Sequence, residues 1–229
     1  MNSYAIIMSI IYLLLFSLLM AVTARDKERR YYVKAKMLTS SAFVIMAFAF
    51  SVIGNDYSEP RPVLLAGLIA CWSGDLALGY YHKLKRKSYI LAGVGLFAVA
   101  HILFLVYLYD MNPVVTTVDI IVPLMAIPTI LVLIHGFNLH MGHARIPIIV
   151  YSIFLTGFAT KAVHMMLDFT SPYGFMTGFA GQLFWFSDYV LLFLYFYHAK
   201  NRSTKTILHI ANLALYYAAM YLLALSVLY

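Results

Sequence analysis

Eight apolar runs, each long enough to cross a membrane as a helix, follow one another along the chain. They cover residues 4–23, 37–53, 62–81, 89–109, 118–137, 147–167, 175–197 and 206–228. A helix needs about 20 mostly apolar residues to span the hydrocarbon core of a bilayer. Turn-forming residues separate the runs, as in Ser171-Pro172-Tyr173-Gly174. The pattern predicts an all-α membrane protein, a bundle of eight transmembrane helices that forms a single domain over residues 1–229.

Composition supports a polytopic membrane protein and argues against a soluble domain. Of the 229 residues, 63% are hydrophobic and only 11% are charged. No Lys or Arg precedes the first apolar run, so we expect a retained helix there and not a cleaved signal sequence, which has a charged start and a shorter apolar core. The single cysteine, Cys71, leaves no partner for a disulfide within the chain.

The distribution of Lys and Arg predicts the orientation of the bundle. The segments after the first, third, fifth and seventh runs hold 14 of the 16 Lys and Arg residues, and Arg61 and Lys161 are the other two. Cytoplasmic loops carry the excess of basic residues in membrane proteins, so we expect these segments in the cytoplasm and both termini outside. The net charge of +7 then reflects topology and attraction to anionic membrane lipids, and no nucleic-acid partner is expected.

Two acidic residues, Asp75 and Asp188, lie inside apolar runs. A charge at membrane depth costs roughly 2.5–3.5 kcal/mol on insertion scales and usually faces the bundle interior or a water-filled cavity. At 1.5 Å per residue, Asp75 lies roughly 9 Å and Asp188 roughly 13 Å from the cytoplasmic helix end. Seven residues make nearly two helical turns, so Asp75 shares a face with His82, and Asp188 with Tyr195. We therefore predict that the two aspartates act together in a cavity open to the cytoplasm.

The other polar residues inside the runs favour supporting or peripheral roles. We expect His101, near the middle of its helix, to support the site through an interhelical hydrogen bond. Lys161 lies near the outer boundary, where its long side chain is expected to reach the headgroups. The histidines around the segment after the fifth run have no matched carboxylate, so we predict no metal site and no other cofactor.

The third and seventh runs are placed equivalently in the two halves of the chain. Gly74-Asp75 in one corresponds to Ser187-Asp188 in the other. This indicates a weak four-plus-four pseudo-repeat.

Several short motifs are similar to those of a known family. Ser73-Gly74-Asp75-Leu76-Ala77-Leu78 and the later stretch from Gly93 to His101 resemble a glycine-aspartate helix and a phenylalanine-to-histidine helix of the YhhN-like lysoplasmalogenase family. The stretch from Gly181 to Asp188 resembles that family's glycine, phenylalanine and serine-aspartate pattern. The resemblance spans about residues 36–197. Met37 departs from it, because the family pattern often has proline there.

The resemblance implies an integral-membrane hydrolase that cleaves the vinyl ether of a lysoplasmalogen, releasing a fatty aldehyde and a glycerophospho-base, either glycerophosphocholine or glycerophosphoethanolamine. Asp75 and Asp188 would be the catalytic residues of this acid-base reaction. We expect Asp188 to be the protonated acid, because Phe184, Trp185 and Leu192 surround it on its own helix. Ser187, together with His101 and Tyr195, would support the aspartates.

The substrate implied by this resemblance is a lysophospholipid taken from the cytoplasmic leaflet, with the cytoplasmic (plasma) membrane as the expected location. Its phosphate would lie near the cytoplasmic helix ends, where Lys36 and His82 are the candidate headgroup-binding residues. An equally open reading is that Lys36 only anchors its helix at the interface. No obligatory protein partner is indicated.

Two other functions remain open from the sequence. Intramembrane aspartyl proteases also use two membrane aspartates, although their proline-alanine-leucine motif does not occur here. A proton-coupled transporter could use Asp75 and Asp188 as a relay, although the helices that carry them have no central Gly or Pro break of the kind found in split transporter helices.

Overall fold

The computed structural model describes residues 3–25, 31–53, 61–84, 86–198 and 201–229. Within these ranges it contains eight helices that are long and apolar enough to cross a membrane, which confirms the predicted fold class. They are α1 (Ser3–Arg25), α2 (Tyr32–Ile53), α3 (Arg61–Leu84), α4 (Ser88–Met111), α5 (Thr117–Gly136), α6 (Arg145–Asp168), α7 (Pro172–Phe196) and α8 (Arg202–Ser226).

The helix bounds agree with the apolar runs to within three residues, except where two helices begin with charged residues. The α2 helix begins at Tyr32 and not near residue 37, and α8 begins at Arg202 and not near residue 206. Apolar length underestimates such helices, because long basic side chains can extend from a helical first turn to the polar interface. As a result, Lys36 lies within α2 and not in the segment before it.

Six helices form a closed ring, and two lie outside it. Packing runs in the order α2, α3, α4, α6, α7, α8 and back to α2. The α1 helix packs outside the ring against α2 and α8, and α5 packs against α6. We call the end of the bundle at which α1, α3, α5 and α7 end the basic end, since Arg25, Lys83, Arg145 and Lys205 lie there.

The two halves of the chain repeat the same packing pattern. Each half has one peripheral helix, α1 or α5, and one extensively packed pair, α3 with α4 or α7 with α8. The last helix of each half also packs against the second helix of the other half, since α4 contacts α6 and α8 contacts α2. This packing agrees with the predicted four-plus-four pseudo-repeat and gives α3 and α7 equivalent places in the ring.

A glycine brings α3 and α4 close together beside Asp75. A Cβ atom at Gly74 would lie only 2.8 Å from the ring of Phe97. Small residues allow this kind of close approach between membrane helices. The contact places Phe97 in the interior, 5.9 Å from the Tyr216 ring and 6.2 Å from the Phe184 ring by centroid.

Candidate active site

Asp75 is held by a buried ion pair with Lys36. Lys36 on α2 places Nζ 2.6 Å from Asp75 Oδ1 on α3, with side-chain exposures of 5% and 1%. The ammonium also lies 5.4 Å and 5.5 Å from the ring centroids of Tyr216 and Tyr217, where a ring face attracts a cation. A charge enclosed in this way requires a partner of opposite sign, and Lys36 supplies it.

Two hydroxyl groups donate hydrogen bonds to the second carboxylate oxygen of Asp75. Ser40 donates to Oδ2 at 2.6 Å, and Tyr216 on α8 donates to the same oxygen at 2.9 Å. Ser40 follows Lys36 by four residues and therefore lies on the same face of α2. One ammonium and two hydroxyl donors stabilise the ionised form of the carboxylate, because each donates a hydrogen bond to it.

A further set of hydroxyl contacts joins this site to α1. The Tyr217 hydroxyl lies 2.8 Å from Ser40 Oγ and 3.2 Å from the Lys36 carbonyl oxygen. Tyr12 donates to the Tyr217 carbonyl oxygen at 2.6 Å. The surroundings of Asp75 are thus fixed by four helices, α1, α2, α3 and α8.

Asp188 has a different environment, at the edge of a cavity in the basic half of the bundle. The cavity has a volume of about 50 Å³ and is lined mainly by apolar side chains of α3 to α7. The Tyr151 hydroxyl on α6 donates to Asp188 Oδ2, and both residues line the cavity. No cation bonds to Asp188 within the described part of the chain.

The two aspartates have separate hydrogen-bond partners. None of the described hydrogen bonds joins their carboxyl groups, and Asp75 is not among the residues that line the cavity. Asp188 nevertheless interacts electrostatically with both Asp75 and Lys36. The Tyr216 ring, which belongs to the Asp75 side, packs 5.9 Å from Phe97 of the cavity wall. The aspartates are therefore neighbouring groups, and the contact between Tyr216 and Phe97 lies between their surroundings.

His101 lies fully buried behind Tyr151. Its ring packs 5.4 Å from Tyr151 and 4.6 Å from Phe184 by centroid. Nδ1 lies 2.7 Å from the Phe97 carbonyl oxygen and donates to it, which leaves Nε2 as an acceptor with no hydrogen-bond partner among the described residues. The structure thus places His101 next to the hydrogen-bond donor of Asp188, with no interhelical hydrogen bond of its own.

The remaining supporting candidates occupy two other places. Ser187 bonds to Asn212 on α8, whose Nδ2 donates to the serine hydroxyl at 2.9 Å and to its carbonyl oxygen at 3.0 Å, so it joins α7 to α8. Tyr195 lines the cavity at the basic end and lies 3.3 Å from His82 Nε2. The His82 ring stacks on His209, and His209 lies 2.9 Å from the Tyr32 hydroxyl.

The prediction that Lys161 reaches the headgroups is wrong. Its side chain is 1% exposed. Nζ donates to the Val114 carbonyl oxygen at 2.6 Å and lies 4.4 Å from the Tyr109 ring centroid. A backbone carbonyl and a ring face within the bundle satisfy the ammonium, so the side chain has no need to extend to the interface.

Sequence reasoning missed the hydroxyl groups that contact the aspartates. Ser40, Tyr151 and Tyr216 lie in apolar helices, where serine is common in packing contacts and tyrosine is common at the interface. One signal was present, since Lys36 and Ser40 are four residues apart and therefore lie on the same face of the helix. Among the described residues, no group of three or more His, Cys, Asp or Glu side chains could hold a metal ion.

Comparison with known proteins agrees with the motifs. The sequence model of the YhhN family matches residues 31–227, which is most of the chain. Neither the curated proteins nor the solved structures contain a match. Because the family match extends from the beginning of α2 to the end of α8 and includes both aspartates, the chain belongs to the YhhN family.

Proposed function

We propose that this protein hydrolyses the vinyl ether bond of lysoplasmalogens within the membrane. The observation that carries the proposal is the apolar cavity with one carboxyl group, Asp188, held by Tyr151 at its wall. An apolar site suits the hydrocarbon part of a lipid, and a single carboxyl group in it can deliver a proton. Membership of the YhhN family supports the same reaction class.

The reaction begins with proton transfer to carbon. An acid protonates the vinyl carbon distal to the ether oxygen, and the adjacent carbon becomes an oxocarbenium ion. Water adds to that carbon and gives up a proton to the carboxylate that the acid has become, forming a hemiacetal and regenerating the acid. The hemiacetal then releases a fatty aldehyde and the glycerol hydroxyl of a glycerophospho-base. Glycosidases meet a similar cationic transition state with one protonated and one ionised carboxyl group.

The environments of the two aspartates suggest how they divide these roles. Asp188 lies against apolar walls and has a hydroxyl group as its bonded partner, so we assign it the role of acid. Asp75 receives the Lys36 ammonium and two hydroxyl donors, so it remains ionised. Its charge lies within electrostatic range of Asp188 and favours the oxocarbenium ion that forms in the cavity.

The other candidate site residues either position the two aspartates and Tyr151 or contact the headgroup of the substrate. His101 packs against Tyr151 and holds the ring that donates to Asp188. Tyr195 and His82, at the basic end of the cavity, would contact the substrate near its choline or ethanolamine phosphate. Lys36 is assigned to Asp75 and not to the headgroup, because its ammonium is buried in the ion pair. Ser187 positions α7 against α8.

The cavity lies in the basic half of the bundle, so the proposed substrate comes from the cytoplasmic leaflet. The lining residues of α4 and α6 lie near the beginnings of these helices, and those of α7 near its end. These three helix ends belong to the basic end, which the distribution of Lys and Arg predicts to be cytoplasmic. Membrane lipids are the other expected partners.

Aldehyde release by the purified protein tests the proposal. Choline and ethanolamine lysoplasmalogens in detergent should each be tried, with the saturated alkyl-ether lysolipid as the matched substrate that cannot be protonated at carbon. Release from a vinyl ether, none from the alkyl ether, and loss of release in D188N are expected. No aldehyde from either lysoplasmalogen would overturn the proposal. Uptake into liposomes that needs a pH gradient, or cleavage of a membrane peptide, would instead indicate a transporter or a protease.

A further inference from the structure

Two histidines from different helices stack on each other at the basic end of the bundle. His82 lies in the last turn of α3, and His209 lies in the first half of α8. Their ring centroids are 5.3 Å apart, and the ring planes differ by 20°. Tyr32, at the beginning of α2, places its hydroxyl 2.9 Å from His209 Nε2. Side chains of α2, α3 and α8 therefore meet in one aromatic group.

Burial divides this group into an inner and an outer pair. Tyr32 and His209 form the inner pair and are 2% and 3% exposed. His82 and Tyr195 of α7 form the outer pair and are half-buried, with the Tyr195 hydroxyl 3.3 Å from His82 Nε2. Neither member of the inner pair lines the cavity that contains Asp188. A ligand at the basic end can thus contact the outer pair, and the inner pair lies behind it.

The inner pair restricts the orientation of the His82 ring. One face of that ring stacks on His209. The Tyr32 ring packs against both imidazoles, with centroid distances of 5.1 Å to His82 and 4.9 Å to His209. A side chain whose orientation is fixed before binding loses less conformational entropy when it binds a ligand. The inner pair therefore prepares His82 to bind a ligand.

Tyr195 connects this group to the proposed reaction site. It lines the cavity seven residues after Asp188 on the same face of α7, a separation of about 10 Å at 1.5 Å per residue. In an extended lysoplasmalogen, seven bonds separate the protonated vinyl carbon from the phosphorus, or about 9 Å at roughly 1.3 Å per bond, from bonds of about 1.5 Å. With the vinyl ether at Asp188, the phosphate therefore lies at the level of Tyr195.

The charges around the outer pair favour an anion. Lys83 directly follows His82, and Lys205 precedes His209 by one helical turn, and both lysine side chains are exposed. The beginnings of α2 and α8, which are the positive ends of helix dipoles, lie at the same end of the bundle. Imidazole N–H and phenol O–H groups are hydrogen-bond donors, and phosphate oxygens accept such bonds.

We propose that His209, held by Tyr32, positions His82 to bind the phosphodiester of the substrate headgroup. The inference rests on the proposed function, because it places the vinyl ether at Asp188. His82 contacts the phosphodiester, whereas His209 and Tyr32 are positioning residues that act through His82. Their contribution is therefore to substrate binding and not to the chemical step.

The experiment compares a choline lysoplasmalogen with 1-alkenylglycerol, a vinyl ether that lacks the phosphate. A hydrogen bond to a charged group contributes about 10-fold to 100-fold in affinity, so H209A should raise the KM for the lysoplasmalogen about tenfold. The kcat for this substrate, and both constants for the alkenylglycerol, should stay within twofold of the wild type. H209F keeps a flat ring against His82 and should restore most of the affinity.

Two further variants test whether the effect passes through His82. H82A/H209A should have the same KM as H82A, because His209 has no effect once the residue that it positions is absent. Y32F removes only the hydroxyl that holds His209 and should raise the KM for the lysoplasmalogen in the same direction as H209A. Y221F, which removes a tyrosine hydroxyl bonded to Ser9, is the matched control. Thermal unfolding without ligand controls for folding.

Several results would overturn the positioning role. They are equal losses on the two substrates, an unchanged KM in both H209A and Y32F, a KM in H209F as high as in H209A, and a further rise in KM when H209A is added to H82A. Each would leave His209 as a packing residue or place it in direct contact with the substrate.

A binding measurement separates this inference from the proposed function. If the wild-type protein hydrolyses no vinyl ether, the rise in unfolding temperature caused by glycerophosphocholine decides the phosphodiester site alone. A rise that is lost in H209A and retained in H209F and Y221F supports the site. No rise in the wild type, equal rises in all variants, or an equal rise with inorganic phosphate would overturn it.

Discussion

Lys36 and Asp75 form a buried ion pair in which the ammonium nitrogen lies 2.6 Å from a carboxylate oxygen. Removing one partner of a buried pair leaves an uncompensated charge and typically costs about 3–5 kcal/mol. The pair therefore holds α2 against α3 and at the same time balances the charge of Asp75 in the candidate site. Lys36 cannot be described only as an interfacial anchor, since its side chain is almost fully enclosed.

Replacing Lys36 with Met is expected to lower kcat more than it raises KM. Loss of the ammonium changes the charge that Asp75 presents to the cavity, whereas a headgroup ligand would act mainly on KM. Steady-state kinetics on a lysoplasmalogen distinguishes the two roles. K36M/D75N, which removes both charges, should unfold at a higher temperature than K36M alone. A raised KM with an unchanged kcat in K36M would restore the headgroup role.

Asn substitution at either aspartate tests whether the two act as a unit. D188N should reduce kcat by about 100-fold to 10,000-fold, the usual contribution of an acid, and D75N should also reduce kcat, because it removes the charge that favours the oxocarbenium ion. The double variant should be little worse than either single variant, because groups that act together are strongly non-additive. Size-exclusion profiles of the purified variants control for folding. Independent losses that multiply in the double variant would contradict a shared site.

Tyr151 is expected to be needed for activity because its hydroxyl donates to Asp188 in the cavity wall. Y151F keeps the ring that packs on His101 and removes only the donor. A hydrogen bond to a charged or charge-developing group contributes about 1.5–3 kcal/mol, so kcat should fall about 10-fold to 100-fold. Y221F removes a tyrosine hydroxyl bonded to Ser9 of α1 and should leave kcat unchanged. Equal effects of the two substitutions would assign Tyr151 a structural role.

The sequence was sufficient for the helices and for the burial of both aspartates, because apolar length and the cost of burying a charge are local properties. It did not show that Asp188 lines the cavity while Asp75 does not. The partners of Asp75 are not local. Lys36, Ser40 and Tyr216 meet it through the packing of α2 and α8 on α3, and one sequence carries no information on which faces of separate helices meet. For that reason Lys36 was assigned to the headgroup and the two hydroxyl donors were missed.

Lys161 shows a different limit of sequence reasoning. Its distance from the helix end made extension to the headgroups reasonable. The buried position of the ammonium depends on the connection between α4 and α5, where the Val114 carbonyl oxygen accepts its hydrogen bond. Whether the Lys161 ammonium lies at the interface or in the interior depends on the position of this carbonyl group. Hydropathy gives no information on that position.

Replacing Lys161 with Met should reduce stability and leave the chemistry intact. The substitution removes the donor to Val114 and the contact with the Tyr109 ring. Loss of a charged donor costs about 1–3 kcal/mol, which lowers the unfolding temperature by several degrees at about 2–4 °C per kcal/mol for a chain of this size. Differential scanning fluorimetry measures the shift, and kcat per folded protein should match the wild type. A K161M protein with unchanged stability would mean that the buried contact contributes nothing.

The orientation of the bundle can be tested with single cysteines, because the native Cys71 is fully buried and gives little background. Y229C replaces a side chain that is 53% exposed at the end of the chain, and K87C replaces an exposed side chain at the basic end, just before α4. The positive-inside rule predicts that the basic end faces the cytoplasm. A membrane-impermeant maleimide should therefore label Y229C in intact cells and K87C only after permeabilisation. The wild-type protein in both conditions controls for Cys71. Labelling of K87C in intact cells, with Y229C protected, would place the Asp188 cavity on the outer side of the membrane and move the proposed substrate to the outer leaflet.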